Sequence, residues 1–240
     1  MNAPGQSPTS ATAVVESFHP ALAAWFGSRF PLGPTEPQAR AWPLVRSGAD
    51  VLVASPTGTG KTLTGFMVAI DAAYRRRLAG SLFAAAGSSG EPADVEPPAA
   101  RPGPEVVYVS PLRALAADVH ENLQAPLDGA RAAAAEQGVG LPELTVAVRT
   151  GDTSAAERAS MRRKPPDLLV TTPESLYLLL TAASSRDLLR NVRTVIVDEV
   201  HTLARDKRGA HLALSLERLS RLVGAERGGR RLQRIGLSAT

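Results

Sequence analysis

Six short apolar runs, each followed by a longer stretch with helical spacing, recur along this chain: "DVLVAS" (50–55), "EVVYVS" (105–110), "LTVAVR" (144–149), "DLLVTT" (167–172), "TVIVDE" (194–199) and "RIGLSA" (234–239). The runs are rich in β-branched residues and nearly continuous rather than alternating, the pattern of strands covered on both faces. Between them, segments such as "GAHLALSLERLSRLV" put Leu212, Leu216, Leu219 and Val223 on one helical stripe. Strand and helix in alternation predict an α/β layer fold built on a parallel sheet with helices on both faces. With 240 residues and 44% hydrophobic content the chain can bury a full core, and one domain is expected over residues 14–240. Residues 1–13 lack periodicity, and residues 80–105 are rich in Gly, Pro and Ala. The first segment reads as a disordered N-terminus and the second as a disordered insertion in a surface loop.

No run approaches eighteen apolar residues and no basic stretch precedes an apolar one at the N-terminus, so neither a membrane span nor a secretory leader is expected, and the expected location is cytoplasmic. The absence of cysteine excludes disulfides, iron–sulfur clusters and thiolate zinc sites. The net charge of +4 comes almost wholly from arginine, whose planar fork suits phosphate but equally serves to solvate helix faces.

Open parallel sheets bind ligands beyond the carboxyl ends of their strands. The first run leads there into Ser55, Pro56, Thr57, Gly58, Thr59, Gly60, Lys61 and Thr62, a glycine-rich turn before a helical pattern. Gly58 and Gly60 allow successive N–H groups to face inward, and a helix starting near Lys61 adds its positive end, which together cradle phosphate. Ser55 stands where the general phosphate-loop pattern has its first glycine. Lys61, one of only three lysines, is a compact charge suited to the outer phosphates of ATP, and the Thr62 hydroxyl suits Mg2+. The fifth run delivers Asp198 and Glu199. Asp198 is the candidate second metal ligand, through water, and Glu199 the candidate general base. His201 lacks the partners a zinc site needs.

These two landmarks resemble motifs I and II of the superfamily 2 helicases, with "DEVH" at Asp198–His201. The rest follow in family order: Gln38 in "PTEPQARAW" resembles the adenine-reading Q motif, "SPLRAL" (110–115) motif Ia, "TGDT" (150–153) motif Ic, "TTPESL" (171–176) motif Ib and "SAT" (238–240) motif III. The wording of "AWPLVRSG", "VIVDEVHTL", "KRGAHLALSLERL" and "QRIGLSAT" resembles the large helicase-related (Lhr) family over about residues 20–240.

The resemblance implies a RecA-like P-loop NTPase lobe. It implies a nucleic-acid face at Ser110, Pro111, Arg113, Thr150, Gly151, Asp152, Thr172, Pro173, Glu174 and Ser175, and coupling between that face and the hydrolysis site through His201, Ser238 and Thr240. Small hydroxyls at such strand-to-helix junctions hold backbone phosphates, although they also serve as ordinary helix caps. Phe26 and Phe30 are both candidates to stack on adenine. The expected partner is single-stranded DNA or a DNA/RNA hybrid, with an RNA helicase lobe as the rival reading and a nucleotide-dependent binding module completed by a partner as a third. A truncated, inactive remnant is a fourth. The family's second RecA-like lobe, which carries the arginine fingers, is not present in these 240 residues. The chain by itself is therefore expected to bind ATP with little hydrolysis.

Overall fold

The computed structural model describes residues 13–86, 103–111, 113–226, 229 and 231–239; the side chains of 81–86, 113–118, 121 and 226 lie outside that set. Two helices, α1 (Pro20–Arg29) and α2 (Glu36–Arg46), precede the first strand. There follow β1 (Val51–Ala54), α3 (Lys61–Ala86), β2 (Val106–Val109), α4 (Arg113–Glu136), β3 (Val146–Arg149), α5 (Ala155–Arg163), β4 (Leu168–Thr171), α6 (Pro173–Thr181), α7 (Ala183–Arg186), a 3-10 turn (Asp187–Leu189), β5 (Thr194–Val197), α8 (Val200–Leu203), α9 (Lys207–Glu226) and β6 (Gln233–Ser238). All six predicted strands are present, shortened by one or two residues at most of their ends.

The strands form one parallel sheet in the order β1-β6-β5-β2-β4-β3. Every strand therefore points its carboxyl end to the same edge, and the junction loops gather there. The two faces carry separate cores. On one, Tyr108, Val170, Ile196 and Leu237 pack with α1 to α4; on the other, Val107, Val109, Leu169, Val195 and Val197 pack with α6 and α9. Of the helical stripe, Leu212, Leu219 and Val223 are buried and Leu216 packs partly against them.

Two expectations need correction. The strands are not all covered on both faces: β2 and β4 are fully buried, but β1 lies at an edge of the described sheet and its Leu52 is 65% exposed. A continuous apolar run does not reveal which strand will end up at the edge, because strand order depends on crossovers. Nor does the proposed insertion occupy 80–105 in full. Helix α3 continues to Ala86, and Glu105 is placed by its N–H bond to the Asp167 carbonyl (2.9 Å) and by the Arg76 guanidinium, whose Nε donates to its carboxylate (2.7 Å). Residues 87–102 and 1–12 lie outside the described residues. The segment "SLFAAA" (81–86) has high helix propensity, which carries α3 up to the point where the composition turns to Gly, Ser and Pro.

The packing of α1 and α2 against α3 and α4 sets up the site. Phe18 and Phe26 both meet Trp42 edge-on, with centroids 5.0 and 5.4 Å apart, and the Trp42 indole N–H donates to the Thr64 carbonyl of α3 (3.1 Å). Gly129 of α4 leaves room for the Trp25 ring, which a Cβ would meet at 1.8 Å. No described helix is long and apolar enough to cross a membrane.

Candidate functional site

Residues 55–60 join β1 to α3 at the carboxyl edge of the sheet. Gly58 (φ +81°) and Gly60 (φ +79°) are left-handed, and a Cβ on Gly60 would stand 2.5 Å from Gln38 Nε2. Glycine at 60 is thus required twice, by backbone and by space. The Ser55 and Thr59 hydroxyls are 2.7 Å apart, the Thr59 hydroxyl donates to the Pro56 carbonyl (2.8 Å), and the Ser55 N–H donates to the Ser238 carbonyl (3.1 Å). The Lys61 ammonium is buried and donates to the carbonyls of Ser55 (2.6 Å) and Pro56 (2.7 Å). It lies folded against the loop it serves. Outer phosphates would replace two neutral acceptors with charged ones, which bind an ammonium more strongly.

Gln38 is 3% exposed, the third residue of α2, and both ends of its amide are engaged. Its oxygen accepts from the Thr35 N–H (2.9 Å), closing a capping box, and its nitrogen donates to the Gly60 carbonyl (3.3 Å). The oxygen keeps a second lone pair and the nitrogen a second hydrogen, so the capping role leaves an adenine contact open. Phe26, 1% exposed, belongs to the core and cannot stack on a base; Phe30 is partly buried and 4.8 Å from it, centroid to centroid.

Asp198 follows β5 directly, and its N–H continues the ladder to the Val109 carbonyl (2.9 Å). Its side chain is buried. Oδ1 accepts from the Glu199 N–H (2.8 Å), and Oδ2 accepts from the Tyr108 hydroxyl. Burial first, then the Asp198 carboxylate, pushes the Tyr108 phenol well above its ordinary value of 10.0, so it remains a donor. One buried hydroxyl from the core therefore holds the expected acidic metal ligand.

Glu199 adopts a left-handed backbone (φ 49°, ψ 43°), and among the described residues no other non-glycine has positive φ. Its carbonyl is held by the Thr202 N–H and hydroxyl, each at 2.9 Å, and its carboxylate lies 3.2 Å from His201 Nε2. The other ring nitrogen, Nδ1, accepts from the Ala239 N–H (3.3 Å) and stands 3.3 Å from the Ser238 hydroxyl. A backbone N–H can only donate, so the geometry assigns the proton to Nε2, facing Glu199. His201 thus bridges the acidic pair and the "SAT" segment. Thr240 itself lies outside the described residues.

The expected strand-binding junctions share the same edge, at the ends of β2, β4 and β3. Thr172 caps α6 by accepting from the Ser175 N–H (3.4 Å); Ser110, Pro111, Thr172, Pro173 and Ser175 are buried. Thr150 accepts from the Asp152 N–H (3.3 Å) and its own N–H donates to the Thr153 hydroxyl (2.9 Å), while Gly151 and Asp152 are exposed. The hydroxyls of Thr150 and Thr172 thus shape their loops, the capping role that competed with phosphate contact at the level of sequence. Glu174 faces an arginine: Arg208 Nε donates to its carboxylate (2.7 Å) and Arg208 Nη2 to the Pro111 carbonyl (2.8 Å). Burial pushes the Glu174 carboxyl up, but the Arg208 hydrogen bond and charge, with hydrogen bonds from its own N–H and from Thr172, together outweigh it and leave the group below its ordinary value. Through Arg208, Glu174 is linked to the loop that follows β2. Arg113 opens α4, and its side chain lies outside the described residues.

Sequence reasoning missed Tyr108 and Arg208. It also missed a basic cluster beside Thr150–Asp152, where Arg158 Nη2 donates to the Gly151 carbonyl (3.1 Å) and Arg149 is lowered below its ordinary value by burial and then by Arg158 and Arg162. A partly buried arginine whose charged form is disfavoured by two neighbouring arginines suits an anion.

The residues fit magnesium and a triphosphate. Asp198 and Thr62 are hard oxygen donors, and among the described residues no cluster of three or more His, Asp or Glu could form an all-protein cage. Magnesium is normally held by one or two carboxylates with water and phosphate, which is the kind of set present here.

Residues 35–240 match the family model described as DEAD/DEAH box helicase. The chain is 49% identical over 218 residues to "Lhr helicase/ probable uracil glycosylase" of Mycolicibacterium smegmatis, covering 90% of this chain and 12% of that protein. It is 45% identical over 222 residues to "ATP-dependent helicase Lhr-Core" of Methanothermobacter thermautotrophicus, covering 92% and 23%. Its fold matches the structure of Mycobacterium smegmatis helicase Lhr bound to ssDNA and AMP-PNP with a TM-score of 0.79 at 45% identity, over 95% of this chain and 25% of that one. The chain thus spans 12% to 23% of the length of these two curated relatives.

Proposed function

Since this chain belongs to the DEAD/DEAH box helicase family and is homologous to the Lhr helicases, we propose that its RecA-like lobe binds ATP with Mg2+ and a single strand of DNA, and that the whole protein couples hydrolysis to strand translocation and unwinding. The observation that carries the nucleotide half of this reading is that the buried Asp198 carboxylate, held by the Tyr108 hydroxyl and the Glu199 N–H, and the glycine-rich loop that holds Lys61 stand at the same carboxyl edge of the sheet.

In this reading Lys61 leaves the Ser55 and Pro56 carbonyls for the outer phosphates, and the inward N–H groups of 58–62 hold the rest. Thr62 and Asp198 would hold the metal, which would neutralise charge that builds on the phosphates. Glu199, with its carboxylate steadied by His201 Nε2–H, accepts a proton from the attacking water. His201 passes the state of this site to Ser238 and Ala239, and so toward the strand-binding edge.

On the strand side, the Arg149, Arg158 and Arg162 cluster and the N–H groups at the loop ends favour a phosphate backbone over base edges. DNA, alone or in a DNA/RNA hybrid, is favoured over RNA because the matched Lhr structure holds ssDNA. A role in DNA repair draws on the M. smegmatis relative, whose name joins a helicase to a uracil glycosylase. The bacterial and archaeal sources of the relatives, whose DNA lies in the cytoplasm, support a cytoplasmic site of action.

Binding of a nonhydrolysable ATP analogue by wild type and Lys61→Ala, with and without magnesium and with DNA and RNA oligonucleotides, tests the proposal. Magnesium-dependent binding that Lys61→Ala abolishes, with tighter binding to DNA, is expected. Equal affinity of the two proteins for the nucleotide refutes the site, and tighter binding to RNA refutes the choice of strand.

A further inference from the structure

We propose that Tyr108 is a positioning residue for the magnesium site, holding Asp198 in the orientation in which it receives the ion; this rests on the reading of Asp198 as one of its ligands.

Tyr108 lies in β2, next to β5 and separated by β5 and β6 from β1, the strand that leads into the phosphate loop. Its ring is 1% exposed and stacks on Phe66 of α3 at 4.7 Å between centroids and 24° between planes. For packing alone, a phenylalanine at 108 would serve as well as it does at 66. The hydroxyl, however, reaches the carboxylate at the end of β5.

It donates to Asp198 Oδ2. Asp198 Oδ1 meanwhile accepts from the Glu199 N–H. Both carboxylate oxygens are therefore fixed by donors on different elements, one from the sheet and one from the acidic segment itself. A carboxylate held in this way reaches an incoming ion without first surrendering rotamer freedom, which is how outer partners strengthen a metal site. Neither the phosphate loop nor the acidic pair contains this residue. It supports the acidic pair from within the core.

Removing such a partner weakens metal binding by about 10-fold or more. Tyr108→Phe keeps the ring and deletes the hydroxyl. Magnesium is titrated against the protein with a fixed concentration of a nonhydrolysable ATP analogue, followed by calorimetry, with Asp198→Ala in parallel. The expected result is a magnesium midpoint raised about 10-fold in Tyr108→Phe, with analogue affinity in EDTA unchanged, and no magnesium dependence in Asp198→Ala. A wild-type midpoint in Tyr108→Phe, with dependence lost in Asp198→Ala, overturns the role of Tyr108 and leaves the site standing. A wild-type midpoint in Asp198→Ala overturns the site itself, and this inference with it. If Tyr108→Phe does not fold, the 13C resonance of the Tyr108 Cζ in wild type decides. It shifts on addition of magnesium to the analogue-bound protein if the hydroxyl serves the site, and its constancy overturns the inference.

Discussion

The Gln38 side-chain amide donates to the Gly60 carbonyl over 3.3 Å, so the last residue of the phosphate loop is tied to a helix that precedes the sheet. The same amide closes the capping box of α2 through Thr35. A single side chain thus links the start of one helix to the loop before another.

Gln38→Ala removes both bonds. Loss of the capping box costs about 1 kcal/mol, and thermal unfolding of a chain this size should fall by roughly 3 °C. Gly60→Ala should cost more, since it adds about 1–2 kcal/mol of left-handed backbone strain to the clash with Gln38 Nε2. In the double variant the clash disappears and the strain remains, so the two effects are less than additive. Calorimetric melting of the four proteins measures that coupling; strict additivity would show that Gln38 does not contact residue 60.

His201→Ala should leave affinity for the ATP analogue within about twofold, because His201 touches Glu199 and the 238–239 segment rather than the phosphate loop. What it should remove is communication. Single-strand affinity, measured with and without the analogue, should differ in wild type and converge in His201→Ala. A persisting difference would assign the coupling elsewhere.

Arg208→Ala should weaken single-strand binding several-fold by releasing the Pro111 and Glu174 loops from one another. It also makes a prediction about pH. The Glu174 carboxyl is held below its ordinary value of 4.5, so its ion pair contributes to stability above that pH, and the contribution is lost as pH falls through the lowered folded-state value. In Arg208→Ala the Glu174 titration, followed by carboxyl NMR, should move up. An unchanged midpoint would remove Arg208 as its cause.

Leu52 and Val53 are neighbours on an edge strand with opposite fates. Leu52 is 65% exposed and Val53 is buried against Ile235 and Leu237 in the core facing α3. Leu52→Thr should change stability by no more than about 0.5 kcal/mol. Val53→Ala should cost roughly 2 kcal/mol from two buried methyl groups and the space they leave. Chemical denaturation separates the two, and a large loss in Leu52→Thr would mean that β1 is not at an edge.

The strands, the glycine-rich loop and the acidic pair are local features. Six β-branched runs needed no partner to be read as strands, and Gly58, Gly60 and Lys61 carry their chemistry in their spacing. Tyr108 was not legible as part of the site, because it reads as one more apolar position in "EVVYVS" and its hydroxyl acquires meaning only beside a carboxylate 90 residues later. The same holds for Arg208, which lies 97 residues from the carbonyl it holds and resembles any other arginine on a helix. Glu174, read as part of a phosphate-contacting motif, gave no sign of that arginine.

Sequence by itself determined which segments become strand and helix, where a phosphate can be cradled and which carboxylates can serve a metal, since period, glycine content and residue chemistry act over a few positions. Tertiary structure decided which strand lies at the edge, which hydroxyls face inward as caps, and that the Tyr108 hydroxyl meets the Asp198 carboxylate. Those outcomes depend on crossovers that bring residues from distant parts of the chain within 3 Å or so of one another, and on buried polar groups having to find partners wherever the fold places them.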